Sequence, residues 1–160
     1  MTVEPGSIDL ATLASIAGDV SGAYLVERIR ADGHPTVRAS HGYLIQHLIE
    51  REPTVSELAA LLGVSQQAAS KAVVELEELG IVARLADTTD SRVRRVSLTR
   101  KGQGVLDAGR AARAALEQTL LEQLGPQRLA DAKAALVSLL DIVGGLDTVR
   151  GRRVRPRDTL

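Results

Sequence analysis

Residues 81–104 carry six basic side chains, Arg84, Arg92, Arg94, Arg95, Arg100 and Lys101, against two carboxylates, Asp87 and Asp90. That leaves a local +4 in a chain whose 20 basic and 20 acidic residues cancel overall. A guanidinium presents a planar fork of N–H donors that fits the oxygens of a phosphate. Such a local excess points to a polyanion on one face of the molecule. Just upstream lie Ser65, Gln66, Gln67, Ser70 and Lys71. Carboxamides make paired hydrogen bonds to adenine, an ammonium reaches guanine or phosphate, and hydroxyls suit phosphate oxygens.

Material for catalysis is thin by comparison. The histidines are His34, His41 and His47 only. On a helix His41 and His47 are about 600° of rotation apart, on different faces, unlike an i, i+4 metal-ligand pair. No glycine loop of the phosphate-cradling or dinucleotide type occurs. No enzyme activity, catalytic residue, metal or cofactor is expected.

The elements that must position the polar groups are legible. Thr54-Val-Ser-Glu57 is a capping box, in which Thr54 accepts from the third helical N–H and Glu57 accepts from the N–H of Thr54. It predicts a short helix with Leu58, Leu61 and Leu62 on one face, stopping at Gly63. Ser65 caps a second helix over residues 66–79, stopping at Gly80. Two helices across so short a turn form a helix-turn-helix. In the second, Ala69, Ala72, Val73, Leu76 and Leu79 mark the inward stripe, leaving Gln66, Gln67, Ser70, Lys71 and Val74 outside. Residues 81–86 and 93–99 are rich in β-branched types and flank the turn-forming Asp87-Thr-Thr-Asp-Ser-Arg92, which predicts a two-stranded hairpin.

The segment Asp90-Ser-Arg92, followed by Val96-Ser-Leu98-Thr99-Arg-Lys101-Gly102 and preceded by Leu76-Glu-Glu-Leu-Gly80-Ile-Val82, resembles the MarR family of winged-helix transcription regulators. The resemblance covers roughly residues 7–145, by motif over 54–104 and by helix pattern elsewhere. It implies a mainly α fold with a small β-hairpin wing, a winged helix-turn-helix lobe flanked by N- and C-terminal dimerisation helices. By that resemblance Asp90 and Arg92 pair internally to fix the wing tip, and Arg92 enters the minor groove. The implied DNA-binding set is Ser65, Gln66, Gln67, Ser70, Lys71, Arg84, Asp90, Arg92, Arg94 and Arg95. Three positions depart from the family pattern: Ala68 and Ala69 where a Thr and a larger apolar residue are usual, and Glu75 where a basic residue is common. Glu75 near phosphate would repel it.

The expected organisation is a loose leader over 1–6, an N-terminal dimerisation helix and loop over 7–34, the DNA-binding lobe over 35–102, C-terminal dimerisation helices over 103–147 and a basic flexible tail over 148–160. Ser7 or Asp9 caps the first helix, which carries Leu10, Leu13, Ile16, Val20, Tyr24 and Ile29. A further helix sets His41, Leu44, Ile45, Leu48 and Ile49 at core spacing. A long helix with Val105, Ala108, Ala112, Leu116 and Leu120 ends near Gly125, and Pro126 suits the first turn of a last one. The end helices have more apolar surface than a small lobe covers, so a second copy of the chain is the expected cover, and the family's two-fold dimer agrees.

His41 lies on an apolar helix face that, by resemblance, borders a cavity between the dimer helices and the DNA-binding lobe. There a small aromatic or phenolic effector would meet Tyr24, Arg38, His41 and Tyr43; the plainer reading of His41 is a core histidine with a satisfied hydrogen bond. Composition excludes more than it selects. The chain has no Phe, Trp or Cys, hence no disulfide or thiol sensing and no stacking platform for single-stranded nucleic acid. No apolar run reaches the ~18–20 residues that span a membrane, and a cytoplasmic location is expected. The expectation is a homodimeric regulator of double-stranded DNA, most simply a repressor on an inverted repeat. The rivals are an architectural DNA-coating protein and a protein-interaction or ligand-sequestering dimer without DNA affinity.

Overall fold

The structure is a computed structural model, and it describes residues 4–150. Its helices are α1 (Leu10–Ala31), α2 (Ala39–Ile45), α3 (Val55–Leu62), α4 (Gln66–Glu78), α5 (Arg100–Ile142) and α6 (Leu146–Arg150), with strands β1 (Val82–Ala86) and β2 (Arg94–Leu98) between α4 and α5. One 3-10 turn, Pro5–Ser7, precedes α1, and another, Gln46–Leu48, extends α2. The ends of the described chain add two short elements. The leader already has a turn, and the tail begins with the short helix α6 because the chain re-enters helical geometry after Gly144 and Gly145; residues 151–160 lie outside the described residues.

The caps do what the sequence predicts. Asp9 accepts from the Thr12 N–H at 2.9 Å, so the cap is Asp9 and not Ser7. Thr54 and Glu57 close their box reciprocally, at 3.2 and 2.7 Å. Gly63 has φ 64° and Gly80 φ 69°, the left-handed conformation that ends α3 and α4 at little cost to a residue without Cβ.

The lobe core closes around Leu58, Val73, Leu76, Ile81 and Val96, all fully buried, with Leu44, Ile45, Leu48, Val82 and Val105 beside them. Burying each such side chain contributes on the order of 2 kcal/mol. Strands β1 and β2 pair antiparallel with Val82 opposite Leu98, Arg84 opposite Val96 and Ala86 opposite Arg94. The hairpin is tied at its outer edge, where the Val96 N–H donates to the Pro53 carbonyl at 2.8 Å just ahead of α3.

At its base, Thr99 caps α5 by accepting from the Gly102 N–H at 3.1 Å and donates its hydroxyl to the Gly80 carbonyl at 2.6 Å. Here α5 crosses so close to the hairpin that a Cβ on Gly102 would sit 2.1 Å from the Ile81 carbonyl oxygen.

Helix α1 packs on α5 where α5 presents the buried small residues Ala108, Gly109 and Ala112; a Cβ on Gly109 would touch Ile29 Cδ1 at 3.5 Å. Gly125, at φ 78° and ψ 163°, breaks α5 into two arms, with Pro126 opening the second. The arms fold back far enough for Glu117 and Lys133 to form an ion pair. Of the expected α1 stripe only Ile29 is buried; Leu10, Leu13, Ile16, Val20 and Tyr24 stay exposed, as do Leu136, Val137, Ile142 and Val143 at the other end.

Candidate nucleic-acid interface

Helix α4 presents one polar face outward. Gln66, Gln67 and Lys71 are exposed, Ser70 is half-buried, and Val74 is exposed between them. These five side chains line an open depression running along the helix. Ser65 stands at the helix start with its Oγ accepting from the Ala68 N–H at 3.1 Å, which leaves its hydroxyl hydrogen free to donate outward. Ala69 is buried, so it belongs to the inward side of α4 and not to the outward face.

The wing departs from expectation in how its tip is held. Asp90 accepts from the Arg92 backbone N–H at 2.9 Å, so it orders the chain around Arg92 without pairing with the guanidinium. Two residues of separation place that N–H within easy reach of a short carboxylate, as in any Asx turn. The organising carboxylate is Asp87. It accepts from the Thr89 hydroxyl at 2.5 Å, the Thr89 N–H at 2.8 Å and the Asp90 N–H at 3.2 Å, and pairs with Arg95 Nε. Those Thr89 bonds and the Arg95 guanidinium hold its carboxyl far below the usual carboxylate range.

Arg95 is accordingly tied down. Beyond Asp87, its Nη1 donates to the Glu52 carbonyl at 3.0 Å and lies 3.8 Å from Glu57. Beside it Ser97 donates to the Glu52 carboxylate at 2.7 Å. Arg84 is turned inward too. It shares the core face with Val96, its cross-strand partner, and its Nε lies 3.4 Å from Glu77 of α4. Lys101 donates to the Leu79 carbonyl at 2.7 Å and closes the end of α4. Among the described residues Arg92, Arg94 and Arg100 are exposed and make no side-chain hydrogen bond or ion pair.

Comparison with known proteins now decides the family. A family model described as the MarR family matches residues 36–93, from the approach to α2 through the wing turn. The HTH-type transcriptional regulator PetP of Rhodobacter capsulatus is 30% identical over 112 residues, 69% of this chain and 66% of PetP. The chain belongs to the MarR family. It spans about two thirds of the length of that curated relative. Solved structures of the same fold include the S. aureus MepR–DNA complex, with TM-score 0.66 and 21% identity over 84% of this chain and 97% of MepR. YusO of Bacillus subtilis matches with TM-score 0.60 and 22% identity over 84% of this chain and 99% of YusO. The MarR family is one of DNA-binding transcription regulators rather than enzymes. Among the described residues no helix is long and apolar enough to cross a membrane.

Of the effector-site residues expected by family resemblance, Arg38 and His41 come together on Glu75, while Tyr24 is exposed and Tyr43 half-buried. His41 is buried, and both ring nitrogens are engaged. Nδ1 accepts from the Arg38 N–H at 3.3 Å, so Nε2 carries the hydrogen and donates to Glu75 Oε1 at 2.9 Å. Burial and the Arg38 charge hold His41 below the usual histidine range. The Arg38 guanidinium closes on the same Glu75 oxygen. Glu75, a carboxylate on the recognition helix, is therefore paired with the Arg38 cation. Neither this cluster nor the Asp87–Arg95 clasp was read from sequence. The second was within reach, because register pairs Leu85 with Arg95 on the face opposite Val96; the first joins residues 34 positions apart and had no local signal.

Proposed function

We propose that this MarR-family chain works as a cytoplasmic homodimeric repressor that reads an inverted-repeat operator. The observation that carries the reading is the pairing of an exposed α4 face, Gln66, Gln67, Ser70 and Lys71, with a wing that keeps Arg92 and Arg94 free of protein partners. In this reading α4 enters the major groove start-first, with Gln66 and Gln67 at base edges and Ser65, Ser70 and Lys71 on the sugar-phosphate backbone. Arg92 lies along the adjoining minor groove, where a narrow floor concentrates negative potential. Arg84 and Arg95 drop out of the contact set, and Asp90 acts by shaping the tip.

Dimerisation is supported by the apolar residues that α1 and the second arm of α5 leave exposed. A two-fold axis through them would set two α4 helices on half-sites about one turn, ~10 bp, apart. A small aromatic effector is the expected release signal. It must favour the DNA-incompetent spacing of the lobes, since equal affinity for both states shifts nothing. To reach Arg38 or His41, an acid must displace the Glu75 carboxylate.

The test is fluorescence anisotropy with duplex from upstream of the coding region and a scrambled duplex, at about 50 and 200 mM salt. Tight selective binding with a steep salt slope supports the operator reading. Equal binding to both duplexes favours a DNA-coating protein, and no binding at low salt overturns a DNA function.

A further inference from the structure

The recognition helix carries a built-in competitor for its own cation. Lys71 and Glu75 stand four residues apart on α4, one turn, the spacing at which opposite charges pair on a helix surface. Lys71 is exposed, and no ion pair involving it occurs among the described residues. Glu75 is instead engaged from the other side. Its Oε1 takes the Arg38 guanidinium and the His41 Nε2–H. His41 is fixed in that tautomer by the Arg38 N–H on Nδ1 and is itself buried, so the Glu75 anchor is preorganised before DNA arrives.

We propose that Arg38 and His41 act as positioning residues that hold Glu75 off Lys71, keeping the Lys71 ammonium available to DNA. The inference rests on the DNA-binding reading above. Without Arg38, the Glu75 carboxylate keeps one neutral donor and swings toward the nearest cation, which on α4 is Lys71. A Lys71 captured this way contributes no charge to the phosphates, so one counterion-release contact is lost although Lys71 itself is unchanged.

The experiment is a pair of double-mutant cycles read by anisotropy on the selected duplex, with the salt slope measured for each variant. Arg38 is itself exposed, and melting curves check that Arg38→Gln folds as the wild type does. Arg38→Gln is expected to weaken binding on the order of tenfold and to lower the salt slope by about 1, as Lys71→Ala does. Glu75→Ala alone is expected to leave affinity unchanged. The Arg38→Gln loss should then vanish in the Lys71→Ala background, where no cation is left to capture, and in the Glu75→Ala background, where no captor remains. A loss that persists in either background, or no loss from Arg38→Gln at all, overturns the inference while leaving the regulator reading intact. Failure of the wild type to bind either duplex overturns both, and the wild-type titration alone reveals it.

Discussion

The six basic side chains around the hairpin divide into two equal groups with opposite roles. Arg84, Arg95 and Lys101 are tied to the protein, held by Glu77, by Asp87 with the Glu52 carbonyl, and by the Leu79 carbonyl. Arg92, Arg94 and Arg100 stand at the tip and at the start of α5, exposed and without a protein partner among the described residues. The local +4 of the sequence is therefore an overestimate of what a polyanion meets. Three of the six basic side chains are hairpin architecture. The same residue type does both jobs, and what sorts the members is strand register and the carboxylate or carbonyl each can reach.

The largest effect should come from the base, where architecture leaves no slack. Gly102→Ala would drive a methyl into the Ile81 carbonyl at 2.1 Å, a rigid backbone atom, so α5 must shift off the hairpin. Overpacking of this kind costs roughly 3 kcal/mol. Thermal denaturation should show a large drop in Tm, with loss of selective DNA binding as a consequence. A Gly102→Ala protein that melts like the wild type would mean the base is compliant, and the division between rigid base and free tip would not hold.

Next in size is the reading face. Gln66→Ala removes an exposed carboxamide from the first turn of α4 and should cost ~1–3 kcal/mol on the best duplex while relaxing preference at one base pair. An equal loss on every sequence would move Gln66 from base edge to backbone.

The free and the tied arginines can be set directly against each other. Arg92→Ala and Arg94→Ala should each weaken binding to all sequences and lower the salt slope by about 0.9, with Tm unchanged. Arg95→Ala should do the reverse. It lowers Tm by a few degrees, because Asp87 and the Glu52 carbonyl lose their donor, and it reduces the salt slope less than the tip variants do. Matching salt slopes for Arg92→Ala and Arg95→Ala would erase the distinction.

Why part of this was legible and part was not follows from the range of the interactions. Caps at Asp9, Thr54 and Ser65, stops at Gly63, Gly80 and Gly125 and the inward stripe of α4 are set within four residues, and the chain displays them openly. The exposed α4 face follows from the same stripe. The fate of Arg84 and Arg95 depends on register across the hairpin and on Glu77 and Glu52, which no local pattern ties to them. Asp90 was assigned a guanidinium partner by likeness to the family, whereas the nearer Arg92 N–H satisfies it. Glu75 looked adverse because its sequence neighbours are on α4, but its charge is answered by Arg38, the residue that precedes α2.

The smallest effect tests the buried end of the same division, where His41 is as fully tied as Arg92 is free. Burial and Arg38 lower its folded-state pKa below the ordinary 6.5, so between the two values the unfolded chain binds more protons than the folded one. Stability must then fall as pH drops from the ordinary histidine range toward the lower folded value, and level off below it. Protonation adds a hydrogen at Nδ1, which can no longer accept from the Arg38 N–H, and so loosens the cap of α2. The Glu75 carboxylate opposes the change by favouring the charged ring, which keeps the effect modest. His41→Gln keeps an amide donor within reach of Glu75 and has no proton to take up. Denaturant titrations between pH 7 and pH 5 should therefore show a shallower acid loss for His41→Gln than for the wild type. Parallel curves would mean that the acid limb does not belong to His41, and that its ties to Arg38 and Glu75 do not couple its protonation to folding.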